Sequence, residues 1–247
     1  MKKISFVAVS SKVENAIPMP KPAKLYIPDW YKDSPSFFDY DKGSYVNKIS
    51  FSNYGLVSAT MKMCMPFLDT FSFGYIQETW CDIFIEYKDD KLVYHYSYNV
   101  DSEHPVIAER PGELFGKIPI PVGFKKDMFF NWSRVWSPIL PKGYSAIITH
   151  PLNRDDLPFR CQSGIIDFDG YFSPGKVGFF IKEGFTGLIP KGTPMYQIIP
   201  FKRDSWKTTG IKNKDKILKM VQDQKNNIFS TFYGGYKKKY WNKKSFN

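Results

Sequence analysis

Between Trp80 and Tyr87 the chain alternates. Trp80, Asp82, Phe84 and Glu86 interleave with Cys81, Ile83, Ile85 and Tyr87. A period of two puts successive side chains on opposite faces, so this stretch predicts a strand with two unlike faces. Asp89-Asp90 offers a hairpin turn and residues 91–100 the returning strand, with His95 as a cross-strand packing or hydrogen-bonding residue among tyrosines. Residues 129–140 and 144–150 read as two further strands, turned by Pro141-Lys142-Gly143. Four more short strands are predicted from 164 to 201, broken at Ser173-Pro174-Gly175, Gly184 and Lys191-Gly192.

The first apolar run, Ile4 to Val9, is interrupted by Ser5 and followed by Glu14. That pattern predicts an opening strand rather than a signal peptide. Residues 13–36 hold Pro18, Pro20, Pro22, Pro28 and Pro35, a density that predicts an extended, polyproline-like wrap anchored by Ile27, Trp30 and Tyr31. An amphipathic helix is expected over 213–227, with Asn213 as its cap, Asp215 in the first turn and Ile217, Leu218 and Val221 as a narrow apolar stripe.

These elements predict a mainly β protein whose core is a jelly roll or a double-stranded β-helix. Three regions follow: an opening strand and proline-rich arm (1–36), a β-rich core (37–206), and a basic helix and tail (207–247). The 16 Tyr, 22 Phe, 6 Trp, 18 Pro and 17 Gly fit strands and turns better than a helical bundle. No apolar run approaches the roughly 20 residues of a membrane-spanning helix, so no membrane partner is expected. Cys64, Cys81 and Cys161 form no CxxC pair and read as buried thiols, and no metal or cofactor is expected.

Charge changes the picture of the tail alone. Net charge is +11, yet residues 201–247 hold thirteen Lys/Arg against three Asp, leaving the first 200 residues near neutral. After the helix, Phe232, Tyr233, Tyr236, Tyr240 and Trp241 are interleaved with lysines. Such a segment docks its rings on a neighbouring protein, stacks bases while neutralising phosphates, or stays solvated. Docking on protein is the favoured expectation, with Trp30, Tyr31 and these five aromatics as partner-binding candidates.

Candidate chemistry gathers at two places. His150 closes an apolar strand and precedes Arg154, Asp155 and Asp156 in a polar loop, where a loop-stabilising ion pair is the plain reading. The second is Gly164-Ile165-Ile166-Asp167-Phe168-Asp169-Gly170-Tyr171. Asp167 and Asp169 either cap a tight β-corner by accepting backbone N–H bonds, or serve as acid–base groups with His150 beside Tyr171, Arg154 and Gln197 as substrate contacts.

Gly164, Ile166 and Asp167, followed by Gly192 and Gln197, resemble motifs of the trimeric dUTPase and dCTP deaminase superfamily. The resemblance implies that Asp167 activates water or orients a sugar and that the tyrosine stacks near deoxyribose. Gly170 is inserted before Tyr171, Met195-Tyr196 replaces a small pair, and neither the Arg-Ser-Gly nor the glycine-rich closing motif is present. Four longer segments, 18–35, 62–75, 143–159 and 192–206, are similar to a family of uncharacterised proteins of tailed phages. That similarity implies context rather than chemistry, a viral protein of the virion. The leading expectation is a structural or assembly protein rather than an enzyme, gripping copies of itself or other phage structural proteins through its terminal arms. The alternative is a β-roll small-molecule or nucleotide-binding protein or hydrolase of the host cytoplasm that uses Asp167.

Overall fold

The computed structural model describes residues 2–49, 57–89, 91–97, 100, 103–210, 214–229 and 235–247. Its strands begin with β1 (Ser5–Ala8), β2 (Lys21–Pro22), β3 (Phe37–Asp39), β4 (Ser44–Val46), β5 (Val57–Ala59), β6 (Tyr75–Glu78), β7 (Ile83–Lys88) and β8 (Lys91–Tyr96). They continue with β9 (Ile107–Glu109), β10 (Phe124–Arg134), β11 (Trp136–Ile139), β12 (Tyr144–Thr149) and β13 (Phe159–Cys161). Last come β14 (Gly164–Ile166), β15 (Gly175–Lys182), β16 (Gly187–Ile189) and β17 (Pro194–Lys202). The helices are α1 (Ser11–Ala16), α2 (Asp29–Asp33), α3 (Met65–Ser72), α4 (Lys214–Phe229) and α5 (Gly235–Lys239). The chain is mainly β, with several antiparallel sheets and a C-terminal helix.

Two compact units are present, and neither is a single run of chain. Met1–Ala23, Gly74–Arg203 and Asn247 make the first, and Lys24–Phe73 with Asp204–Phe246 the second.

The first unit contains a four-stranded sheet, β13-β15-β10-β9, and a five-stranded sheet, β14-β12-β17-β6-β2. Strands β1 and β11 form a pair, and β16-β7-β8 a small third sheet. Strands β7 and β8 pair as the expected hairpin, with Glu86 opposite Val93 and Phe84 opposite His95, though Asp90 of the expected turn lies outside the described residues. Ile83 and Ile85 are fully buried and Phe84 is exposed, as the alternation requires. Strands β15 and β17 do not alternate, because residues 177–181 and 194–199 are buried without interruption. Both of their faces are covered, which removes the polar side of the period.

Aromatic packing holds the four-stranded sheet. The Trp132 ring stacks on Phe179, with centroids 3.9 Å apart and planes 7° apart, and meets Phe159 edge-on at 5.1 Å. Phe115, Phe129 and Phe180 make a second buried cluster. Burial of each such ring contributes roughly 1.5–3 kcal/mol. Gly74 is required where β6 begins: its φ is +78°, and a Cβ there would fall 2.2 Å from the Ile198 carbonyl oxygen.

The second unit contains the β4-β3-β5 sheet and α3, with Tyr31, Phe67 and Phe71 packed within 6 Å of one another by ring centroid.

The proline-rich segment departs from the expected extended wrap. The Ser10 side chain accepts from Val13 N at 3.3 Å and caps α1, while Pro28 immediately precedes α2. The prolines leave windows at 11–17 and 29–34 wide enough for a helical turn, and proline is tolerated where a helix starts because that N–H has no partner in any case.

Candidate functional site

Strand β12 places the first half of the site. Ala146 lies opposite Ile166 of β14 on one side and opposite Pro200 of β17 on the other. The chain leaves β14 at Asp167 and turns sharply, with Gly170 N and Tyr171 N both donating to the Asp167 carbonyl, at 3.3 and 3.1 Å. Phe168 is buried beneath this corner, and its carbonyl accepts from Leu140 N at 3.0 Å.

Two carboxylates therefore emerge beside the start of β12 and the end of β17. Asp169 accepts from Gly143 N at 2.8 Å and is gripped through both oxygens by the Arg203 guanidinium. Arg203 also reaches Ser145 Oγ at 3.0 Å and Asp167 at 3.1 Å. Its hydrogen bond, then the Gly143 N–H, hold the Asp169 carboxyl down to about 2, and the same pairing pushes the guanidinium up.

Asp167 is held differently. Ser145 Oγ donates to its Oδ1 at 2.6 Å, and the Arg203 contact falls on that same oxygen. Among the described residues its Oδ2 accepts no hydrogen bond, and the side chain is 67% exposed against 12% for Asp169. Tyr171 and Phe172 follow as exposed rings, and Ile165 lies exposed on β14. The site is an oriented, open carboxylate beside a cation, with exposed apolar side chains at 165, 171 and 172 in the same stretch of chain.

His150 is not part of it. It lies at the far end of β12 from Ser145, about 16 Å away for five extended residues. Its Nδ1 accepts from Cys161 N at 3.4 Å, its Nε2 meets the Arg154 carbonyl at 3.1 Å, and Phe159 packs against the ring. Burial holds it below the usual histidine value, favouring the neutral form. Gln197 is also removed from solvent, its Oε1 accepting from Leu152 N at 2.8 Å. Arg154 makes the loop ion pair, donating through Nε and Nη2 to the two Asp156 oxygens at 2.9 Å. These three residues shape the 150–157 loop, while Asp167, Asp169 and Tyr171 stand together at the corner.

Arg203 and Ser145 escaped the sequence reading. Long-range pairing brings them together: Tyr144 lies opposite Lys202, and Arg203 N donates to the Gly143 carbonyl, so both residues arrive at one end of the antiparallel β12–β17 pair. Among the described residues, no group of three or more His, Cys, Asp or Glu side chains is placed to hold a metal ion. No described helix is long and apolar enough to cross a membrane.

The partner-binding candidates separate by exposure. Tyr31 is 4% exposed, its hydroxyl donating to the Lys62 carbonyl at 3.0 Å, so its ring is consumed inside the second unit. Trp241 donates from Nε1 to both Asp69 oxygens at 3.0–3.1 Å. Trp30 and Tyr240 are exposed, Tyr236 is half-buried against Tyr240, and Phe232 and Tyr233 lie outside the described residues. Trp206, which the sequence reading did not single out, is 91% exposed.

No protein-family model matches the chain, and no curated protein matches it. The likeness to tailed-phage proteins therefore rests on the four sequence segments alone. Among solved structures, the native EIAV dUTPase shows a weak and partial likeness, with a TM-score of 0.25 and 16% identity over 35% of this chain and 69% of that one.

Proposed function

We propose that the chain binds a nucleotide, or a closely related phosphorylated small molecule, at the corner after β14, with Asp167 as the carboxylate that meets the ligand. One observation carries this reading: Asp167 is fixed through Oδ1 by Ser145 and Arg203 while two-thirds of its side chain stays open to solvent. A carboxylate that only braces a turn is saturated by the turn, as Asp169 is by Gly143 and Arg203. An oriented acceptor beside a guanidinium suits a ligand with both a hydroxyl and an anionic group, and the Tyr171 ring offers a base or sugar an apolar face. The Gly164, Ile166 and Asp167 motif supports a nucleotide as the class, with Asp167 orienting the sugar or activating water. Antiparallel four- and five-stranded sheets support a scaffold of jelly-roll type. The test is calorimetric titration with dUTP, dCTP and the other deoxynucleotides with and without Mg²⁺, paired with hydrolysis assays. Binding that Asp167→Ala weakens by about tenfold or more supports the proposal; no binding of any deoxynucleotide to the wild type overturns it.

Trp206 favours a second reading. An indole left 91% exposed within the strongly basic stretch 201–247 is a natural docking point, for neighbouring subunits first and nucleic acid second. In that case the chain is a virion structural or assembly protein. Peptide mass spectrometry of purified particles would show it at a fixed copy number, and its absence from particles would remove this reading.

A further inference from the structure

Arg134 ends β10 with 2% of its surface exposed, and no carboxylate pairs with it among the described residues. Its partners are neutral, and most belong to one stretch of chain. Nη1 donates to Ser137 Oγ at 2.6 Å, and Nη2 donates to the Ser173 carbonyl at 2.8 Å. The guanidinium carbon lies 5.0 Å from the centroid of the fully buried Phe168 ring. Gly175 stands opposite Arg134 in the β10–β15 register, and a Cβ there would come within 2.7 Å of Nη2. Ser137 Oγ also approaches the Ser173 carbonyl, at 3.4 Å, and reinforces the same contact.

A buried cation without a counter-charge is a costly choice, and an apolar side chain of similar size is commonly as stable or more so. Burial accordingly pulls the Arg134 pKa down. What the guanidinium supplies, and an apolar side chain does not, is a rigid fork of donors and a flat cation for an aromatic face. Phe168, Ser173 and Gly175 bound the inner side of the corner whose outer side Arg203 holds through Asp167 and Asp169. The corner is thus clasped from two sides, at 167 and 169 from outside and at 168 and 173 from inside.

We propose that Arg134 is a positioning residue: it locks residues 167–175 from within, so that Asp167 and Tyr171 present a fixed face to the ligand. The proposal rests on the reading of this corner as a ligand site. Arg134 itself touches no ligand.

Hydrogen–deuterium exchange and dUTP titration, run on the wild type, Arg134→Lys and Ser137→Ala, test it. Arg134→Lys keeps the charge and loses the fork, while Ser137→Ala removes a single hydroxyl and guards against a variant that fails to fold. Amide exchange over 167–176 is expected to rise about tenfold in Arg134→Lys and about threefold in Ser137→Ala, with β12 and β17 unchanged. Affinity for dUTP is expected to fall about tenfold in Arg134→Lys. Exchange that rises equally across β10, β12 and β17, or that does not change in either variant, overturns the proposal. A loosened corner with unchanged affinity overturns it as well. A wild type that binds no deoxynucleotide, yet shows the localised exchange response, defeats the Asp167 reading and leaves the Arg134 clamp standing.

Discussion

Ser145 Oγ and the Arg203 guanidinium converge on one oxygen of Asp167, at 2.6 and 3.1 Å. The carboxylate is therefore hinged at one atom, and its other oxygen faces outward with its direction set. Ser145→Ala leaves Arg203 as the sole restraint. We expect dUTP affinity to fall by about fivefold, with a stability loss of about 1 kcal/mol for the missing hydrogen bond. Calorimetric titration beside urea unfolding separates the two effects.

Asp169 sets the acid limit of the corner. Its folded pKa of about 2 lies below the ordinary value of 3.8. A depressed carboxylate stabilises the fold above its unfolded pKa, and the contribution disappears as pH falls through the folded value. Loss between about pH 4 and pH 2 is expected, and Asp169→Asn should flatten the wild-type curve in that window. Urea midpoints measured from pH 6 down to pH 2 provide the comparison.

His150 acts at milder pH. Burial holds its folded pKa below 6.5, so the unfolded chain binds the extra proton. Stability is then fully present above pH 6.5 and declines as the solution is acidified below it. His150→Gln removes the titrating group, and its stability is expected to be level over the same range. A matching slope in wild type and variant would assign the dependence to other groups.

Gly74→Ala is the backbone prediction. The new Cβ would fall 2.2 Å from the Ile198 carbonyl oxygen at a φ of +78°, so strand β17 has to shift. A loss of at least about 3 kcal/mol is expected, compared with about 1 kcal/mol for Gly43→Ala, where φ is +59° and nothing lies within 4 Å. Thermal melts of the two variants side by side test whether close approach, rather than backbone strain alone, makes the difference.

The strands were legible in the sequence wherever turn residues punctuated them. Ser173-Pro174-Gly175 and Lys191-Gly192 separate segments that are β14, β15, β16 and β17 in the structure. Helix α4 was legible from its stripe of Ile217, Leu218 and Val221. The short helices α1 and α2 were not, because proline density alone does not show where each ring falls relative to a helical turn. In the site, Asp167, Asp169 and Tyr171 are local in sequence and were found together. Arg203 is 34 residues from Asp169 and joins it only through the pairing of β12 with β17, a relation that no local pattern displays. The expectation that His150 stands near Asp167 in a shared pocket is not met, because the extended length of β12 keeps them at opposite ends.

Asp69, on α3, takes the Trp241 indole N–H through both oxygens and the Lys244 ammonium at 2.6 Å, while Phe246 meets Phe73 edge-on at 4.8 Å. Trimming the chain after Tyr240 would strip a mostly buried carboxylate of its indole and ammonium donors at once and uncover a ring at the end of the same helix. A protease nick or a shortened expression boundary at the basic end is therefore equivalent to a core mutation in α3. Preparations that differ by only a few terminal residues should be compared as different proteins.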